Sequence, residues 1–210
     1  MKNEAEIRKQ ISIIEQQLKK KPKSANLLHD LGIGHYLLGE FSDSIKYLQK
    51  AVDLAPKKVA FLFNLGNAFN ENDQPDLAID IYLRALDQNP NHIPSLNNLA
   101  DCYEAVSQFD KAHELFHYLT RINGENALSH FNLGNFFLRQ NQHIEAAKCY
   151  EEAIKRDETF ADAYHNIAWI LHQAKADEEA MEYVRKGLNA DPNHDEILGL
   201  RKKISDPKTR

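Results

Sequence analysis

The chain has 210 residues, of which 42% are hydrophobic, 27% charged and 9% aromatic, and this composition fits one soluble globular or repeat domain. Its 26 basic and 31 acidic side chains give a formal net charge of −5, which disfavours a nucleic-acid partner. No apolar run approaches the roughly 20 residues of a membrane span, and the N-terminal residues do not resemble a signal peptide. Cys102 and Cys149 lack any paired spacing, as free thiols in a reducing compartment do. We therefore expect a cytoplasmic protein.

The first predicted element, within residues 1–24, is an N-terminal amphipathic helix. Its four large apolar residues recur at intervals of four, three and four, so they share one helix face. These residues are Ile7, Ile11, Ile14 and Leu18. Pro22 predicts that the helix ends just before it.

The next part of the chain is an internal repeat of five consecutive windows of equal length, without insertion or deletion. The windows are 25–58, 59–92, 93–126, 127–160 and 161–194. Window positions 4, 7, 8 and 11 follow the helical period and form one apolar stripe on a first helix. Small residues at positions 8 and 20 indicate close backbone approach to a second helix. Each window is therefore predicted to be an antiparallel helix pair, and stacking five pairs buries a core that one pair cannot bury alone.

The last predicted element, within residues 195–210, is a capping helix followed by a polar tail. Ile197, Leu200 and Ile204 are expected to face inward. The tail through Arg210 is expected to be disordered.

The windows resemble the tetratricopeptide-repeat (TPR) family over residues 25–194, about four-fifths of the chain. Leu, Gly or Ala, aromatic, Ala and Pro recur at its landmark positions. Departures are Leu119, where a small residue is usual, and Gly124 and Glu158, where Pro is usual. The resemblance implies an all-α, right-handed TPR solenoid of helix-turn-helix repeats, TPR 1 to TPR 5, with capping helices at both ends.

Positions 2, 6, 9 and 13 of each first helix point away from the apolar stripe, because each residue turns about 100°. We expect these positions to be exposed, and in the TPR family this face lines the concave binding surface. Position 6 carries an asparagine in four of the five windows. An amide offers both a donor and an acceptor, which match the main chain of an extended peptide. The pattern resembles the asparagine ladder in the TPR superhelix of O-linked N-acetylglucosamine transferase, as an analogy only, since no transferase domain fits in the remaining residues.

Positions 9 and 5 complete the predicted peptide-binding surface, with aromatic side chains as apolar anchors between the amides. The predicted peptide-binding residues are Asp30, Asn64, Asn98, Asn132, Asn166, Asn67, Asp101, Asn135, Trp169, Phe63 and Phe131. An alternative interpretation is that the amides bond only to water and neighbouring helices, and that Phe63 and Phe131 belong partly to the core.

Two other functions of such a chain fit the sequence less well. The carboxylate clamp of chaperone adaptors needs cations, and its positions here are all uncharged. They hold Phe63, Asn67, Asn98, Leu128 and Asn132. A zinc-protease motif, H-E-x-x-H, occurs once, at residues 113–117. It lies in the predicted second helix of the third window, at positions that the repeat pattern assigns to packing between helices.

We therefore expect a non-enzymatic scaffold or adaptor without metal or cofactor, whose partner is an extended segment of another protein. The alternative is a structural protein that associates with copies of itself as a homo-oligomer. No nucleic acid and no membrane span are expected.

Overall fold

A computed structural model describes residues 4–206, and within that range the chain forms 12 α-helices and no strand. The predicted C-terminal tail beyond residue 206 and the first three residues lie outside the described part. The helices are α1 (Glu4–Lys20), α2 (Ala25–Leu37), α3 (Phe41–Leu54), α4 (Val59–Glu71), α5 (Pro75–Gln88), α6 (Ile93–Ala105), α7 (Phe109–Ile122), α8 (Ala127–Arg139), α9 (His143–Arg156), α10 (Ala161–Gln173), α11 (Asp177–Ala190) and α12 (Asp195–Ser205). The chain is all-α, as predicted.

The five helix pairs have the same lengths throughout. Each first helix has 13 residues and begins at the first residue of its window. Each second helix has 14 residues. Side chains of the residue before the helix define several of the starts, because they accept hydrogen bonds from backbone N–H groups of the first turn. Such caps are Ser24, His92, Asn126 and His194, which bond to the amides of Leu27, Ser95, Leu128 and Ile197.

The turn inside each pair is also repeated, with a left-handed residue at window position 15. These residues are Gly39, Asp73, Ser107, Asn141 and Lys175, with φ between 56° and 73°. The next residue donates its N–H to the carbonyl of position 11, as Gln74 does to Phe69. This bond closes the end of the first helix and reverses the chain. Only the first pair uses glycine, the residue that adopts this conformation without steric cost.

The chain divides into two compact units, Met1–Leu115 and Phe116–Arg210, with the boundary inside α7. In the first unit Leu48, Leu62 and Leu65 are fully buried in one apolar cluster. In the second unit Tyr150 and Val184 have no exposed surface, and each lies in its own cluster.

Helix α1 covers the beginning of the first unit. Ile7 and Ile11 are buried against Leu31 of α2. A Cβ built on Gly34 would lie 2.7 Å from Cγ1 of Ile11, so this glycine lets α1 pack closely on α2. In register with the repeat, α1 corresponds to a second helix. It carries Gln10 and Gln17 at window positions 20 and 27, where second helices mostly have small packing residues, and both glutamines are exposed. A polar outer face of this kind is typical of a terminal cap.

Helix α12 covers the end of the second unit. Ile197, Leu200 and Ile204, the three residues predicted to face inward, are buried there. Lys202 is exposed at the position where first helices of complete pairs have glycine or alanine. Between residues 4 and 206, no helix has both the length and the apolar character needed to cross a membrane.

Candidate functional site

The predicted peptide-binding residues differ in exposure from what the helical period suggests. Asp30 and Asp101 are exposed, as expected. The expectation is wrong for the asparagines at positions 6 and 9, which are half-buried. They are Asn64, Asn67, Asn98, Asn132, Asn135 and Asn166. Five of them form hydrogen bonds with side chains of neighbouring helices: Asn64, Asn67, Asn98, Asn135 and Asn166.

In the first unit, one tyrosine and two asparagines form a closed ring of hydrogen bonds. The Tyr82 hydroxyl, from α5, donates to Oδ1 of Asn67 on α4 at 2.7 Å. The Asn98 amide, on α6, donates from Nδ2 to the same Oδ1 at 2.8 Å and to the Tyr82 hydroxyl oxygen at 3.3 Å. Three helices are thus joined through one carbonyl oxygen.

The second unit has a similar arrangement two windows later, with the two hydrogen bonds to the upstream asparagine. Tyr150 on α9 donates to Oδ1 of Asn135 on α8 at 2.8 Å, and Asn166 on α10 donates Nδ2 to the same oxygen at 3.2 Å. Oδ1 of Asn166 lies 3.1 Å from Nδ1 of His165. We call these two clusters, Tyr82–Asn67–Asn98 and Tyr150–Asn135–Asn166, the Tyr–Asn–Asn triads.

The local sequence explains why triads form in these windows. Both contain the pentapeptide F-N-L-G-N, at residues 63–67 and 131–135. Its glycine makes room for the tyrosine ring, because a Cβ on Gly66 would lie 2.5 Å from Cε1 of Tyr82 and one on Gly134 would lie 2.6 Å from Cε1 of Tyr150.

The phenylalanine of the pentapeptide packs beside the same ring. The centroid of Phe63 lies 6.2 Å from that of Tyr82, and the centroid of Phe131 lies 5.5 Å from that of Tyr150. Burial raises the pKa of both tyrosines far above the ordinary value, so each hydroxyl keeps its proton and acts as a donor at any physiological pH.

Windows without the triad residues make other contacts. Position 24 is Leu48 in the first window and Val184 in the fifth, and neither has a hydroxyl. Trp169, at position 9 of the fifth window, packs against the apolar cluster that contains Val184 and Leu200. This tryptophan therefore contributes to the packing of the cap, in addition to the binding role predicted for it.

Asn64 is held by a histidine in place of a second asparagine. Its Nδ2 lies 2.8 Å from Nε2 of His29, whose Nδ1 lies 3.3 Å from Oδ1 of Asp30. Burial lowers the pKa of His29, which favours the neutral ring that accepts at Nε2.

The triad of the first unit leaves defined groups for another molecule. In the first unit Oδ1 of Asn67 receives two hydrogen bonds and is therefore saturated, so only its Nδ2 remains as a donor. The two acceptors of Asn98 Nδ2 lie only 2.7 Å from each other, so one N–H of this group is shared between them, and Oδ1 of Asn98 remains as an acceptor. Neither of these remaining atoms has a hydrogen-bond partner among residues 4–206. In this triad Asn67 can therefore only donate to a ligand, and the acceptor that remains is Oδ1 of Asn98.

The predicted peptide-binding residues do not include Tyr82 and Tyr150, the tyrosines at window position 24. The available signal was the joint occurrence of glycine at position 8, asparagine at position 9 and tyrosine at position 24 in the same two windows. Phe63 and Phe131, predicted as ligand anchors, are half-buried and contact the triad tyrosines.

The remaining sequence motifs show no metal centre. His113 and His117 are exposed on α7, and within residues 4–206 no group of three or more His, Cys, Asp or Glu side chains could hold a metal ion.

The two cysteines are expected to react slowly with thiol reagents in the folded protein. Burial raises the pKa of Cys102 to about 12 and that of Cys149 to about 11, so little thiolate exists at pH 8. Labelling with Ellman's reagent at pH 8 should therefore be slow in buffer and complete at once in concentrated guanidinium. Fast labelling of either native thiol would contradict this expectation.

Comparisons with known proteins agree with this architecture. Residues 96–199 match the family model of the middle TPR-like domain of cilia and flagella-associated protein 70, and residues 29–93 match a tetratricopeptide-repeat model. The chain is a tetratricopeptide-repeat protein, and this fold is typical of protein-interaction scaffolds. No curated protein matches the chain in a sequence comparison.

Solved structures with similar folds share little sequence. YrrB, described as a TPR protein with an unusual peptide-binding site, is 17% identical over 90% of this chain and 97% of its own, with a TM-score of 0.62. MamA from Desulfovibrio magneticus RS-1 is 15% identical over 81% of this chain and 97% of its own, with a TM-score of 0.68. The C-terminal part of a TPR protein from Cytophaga hutchinsonii is 16% identical over 94% of this chain and 81% of its own, with a TM-score of 0.76. At these identities the likeness extends to the fold alone.

Proposed function

We propose that this protein is a scaffold that binds an extended polypeptide segment along its first helices, with the Tyr–Asn–Asn triads holding the main chain of the ligand. The observation that carries the proposal is that each triad saturates Oδ1 of its upstream asparagine, Asn67 or Asn135, and leaves Nδ2 of that residue as a donor without a partner among residues 4–206. In the first unit Oδ1 of Asn98 remains as an acceptor. A peptide unit has the complementary pair.

The internal hydrogen bonds alone do not require asparagine at position 9. Asn67 contributes only its oxygen to the triad, and an aspartate would accept the same two hydrogen bonds. The third window has Asp101 at this position. Asparagine is also a mediocre helix former. Its Nδ2 is thus superfluous for the fold and suited to an external carbonyl group.

The expected binding is tolerant of ligand sequence. Each neutral hydrogen bond contributes about 0.5–1.5 kcal/mol net, so the two bonds at a triad hold main chain without selecting side chains. Selectivity would come from neighbouring exposed groups, such as Leu128 and Asp101.

The sharpest test changes the outer atoms of the triads and retains the inner ones. In the double variant Asn67→Asp/Asn135→Asp, each aspartate keeps an oxygen for the tyrosine and the second asparagine but replaces the outer donor by an acceptor. We expect peptide affinity to fall at least about tenfold, because a carboxylate oxygen would face the ligand carbonyl. The matched control is Asn189→Asp/Asn193→Asp, which makes the same charge change at two exposed residues of the second unit.

The ligand for this test comes from a random library of short linear peptides selected on the wild-type protein. Affinities of synthetic peptides are measured by titration calorimetry, after circular dichroism has shown that all variants fold alike. Equal affinity for the wild type and the Asn67→Asp/Asn135→Asp variant would refute the proposal. Failure to enrich any peptide, together with a mass in light scattering that rises with concentration, would favour the self-associating alternative.

A further inference from the structure

The donor and the acceptor of the two triads occur in the same order along the chain. In the first unit the donor amide, Asn67, belongs to α4 and the acceptor, Asn98, belongs to the following first helix α6. In the second unit Asn135 on α8 and Asn166 on α10 follow the same order, and Oδ1 of Asn166 retains one lone pair beside its contact with Nδ1 of His165. Each tyrosine enforces this order, because its hydroxyl donates to the oxygen of the upstream asparagine.

An extended peptide residue presents its N–H and C=O to the same side, as in the hydrogen-bonded pairs of an antiparallel sheet. Its N–H precedes its C=O in the direction of the peptide chain. The C=O must meet the donor, Nδ2 of Asn67, and the N–H must meet the acceptor, Oδ1 of Asn98. One ligand orientation satisfies both bonds.

We propose that the triads fix the direction of the bound polypeptide, so that within each unit the ligand runs antiparallel to the order of the helix pairs. This inference rests on the proposed function and adds the polarity of the ligand to it. The ligand residue opposite a triad also needs a free N–H, so proline is excluded there. Tyr82 and Tyr150 are positioning residues, since both are fully buried and act through the amides to which they donate.

The tyrosine hydroxyl fixes the orientation of the asparagine amide, which can otherwise rotate about its terminal bond and exchange the positions of Oδ1 and Nδ2. If Asn67 rotated by half a turn about its terminal bond, its Nδ2 would face both the Tyr82 hydroxyl hydrogen and Nδ2 of Asn98. Donors would then oppose donors, which leaves polar groups unpaired. Tyr82→Phe and Tyr150→Phe remove one of the two bonds that prevent this rotation and leave the aromatic ring in place.

The direction is tested with a selected peptide that carries a nitroxide label at either end. In spectra of 15N-labelled protein, a label at the ligand N-terminus should broaden amide signals of α6 more than α2 in the first unit, and of α10 more than α8 in the second. A label at the C-terminus should reverse this pattern. The opposite assignment of the two labels, or equal broadening by both, would overturn the inference while the proposed function stands.

The role of the tyrosines is tested with the double variant Tyr82→Phe/Tyr150→Phe. We expect the dissociation constant of the peptide to rise about three- to tenfold, the equivalent of one hydrogen bond. The matched control, Tyr47→Phe/Tyr183→Phe, removes two hydroxyls at window position 23 of α3 and α11 and should leave the affinity unchanged.

A second readout separates positioning from a purely structural effect. Peptides in which single amides are replaced by esters lose one N–H each, and the wild type should bind the most affected ester about tenfold more weakly than the parent peptide. In Tyr82→Phe/Tyr150→Phe this penalty should shrink, because a rotated Asn67 places its Nδ2 inside and favours rotation of Asn98 as well, which removes Oδ1 of Asn98 as the acceptor for the ligand N–H. If the loss of affinity caused by the ester were the same in the variant and in the wild type, the positioning role of the tyrosines would be refuted. By contrast, full binding by Asn67→Asp/Asn135→Asp would count against the proposed function itself.

Discussion

Replacing Ile197 by alanine is expected to lower the free energy of unfolding of the second unit by about 2–5 kcal/mol, the cost of a large-to-small change in a closed core. Ile197 is fully buried, and its Cδ1 lies 2.5 Å from where a Cβ on Gly187 would be. Because Ile197 packs directly against the backbone of α11, neighbouring groups cannot easily move in to fill the cavity that alanine would leave. Loss of this contact loosens α12, which covers the last helix pair.

Urea titration followed by circular dichroism measures the change, and hydrogen exchange of amides in α10, α11 and α12 locates it. Exchange should accelerate in these helices before it does so in α8. The matched control is Ile144→Ala, since Ile144 is 69% exposed and its truncation should change the stability by less than about 0.5 kcal/mol. Equal effects of the two substitutions would show that α12 does not act as a cap.

The second large effect is expected from Gly66→Ala, which should lower the free energy of unfolding by about 1–3 kcal/mol through overpacking. The added methyl group would lie 2.5 Å from Cε1 of Tyr82, whose ring is fully buried. The ring cannot retreat easily because its hydroxyl is bonded to Asn67 and Asn98. The variant should therefore also disturb the triad.

The same substitution at Gly199 is the control. This glycine lies in α12 with no atom within 4 Å of a built Cβ, so alanine should stabilise the helix by about 0.5–1 kcal/mol. Urea titrations measure the free energy of unfolding of both variants and of the wild type. A Gly66→Ala protein as stable as the wild type would mean that Tyr82 has another position available, and that the triad is less rigid than its geometry implies.

The helix pairs could be predicted from sequence because a single repeat period fixes both the apolar stripes and the small residues between helices. The capping helix at the end of the chain could be predicted because three apolar residues at helical spacing define one helix face: Ile197, Leu200 and Ile204.

The triads could not be predicted by the same reasoning. A helical period shows which face carries Asn67, but not that the hydroxyl of Tyr82, on the next helix, reaches its oxygen. That contact depends on how closely two helices approach, which Gly66 sets through the absence of a single methyl group. The helical period alone therefore overestimates the exposure of the asparagines, and it does not show which amide atom, Oδ1 or Nδ2, faces the neighbouring helix.

The constant lengths of helices and turns have a further consequence for how such a protein can change in evolution. Every helix pair has the same two helix lengths, and the short turns within and between pairs are also constant. One residue gained or lost within a first helix would rotate all later side chains of that helix by about 100° and move its amide off the common face. Gain or loss of a whole helix pair with its turns preserves every face. The proposed peptide-binding surface is therefore expected to lengthen by duplication of complete helix pairs, and its ligands to lengthen in matching steps.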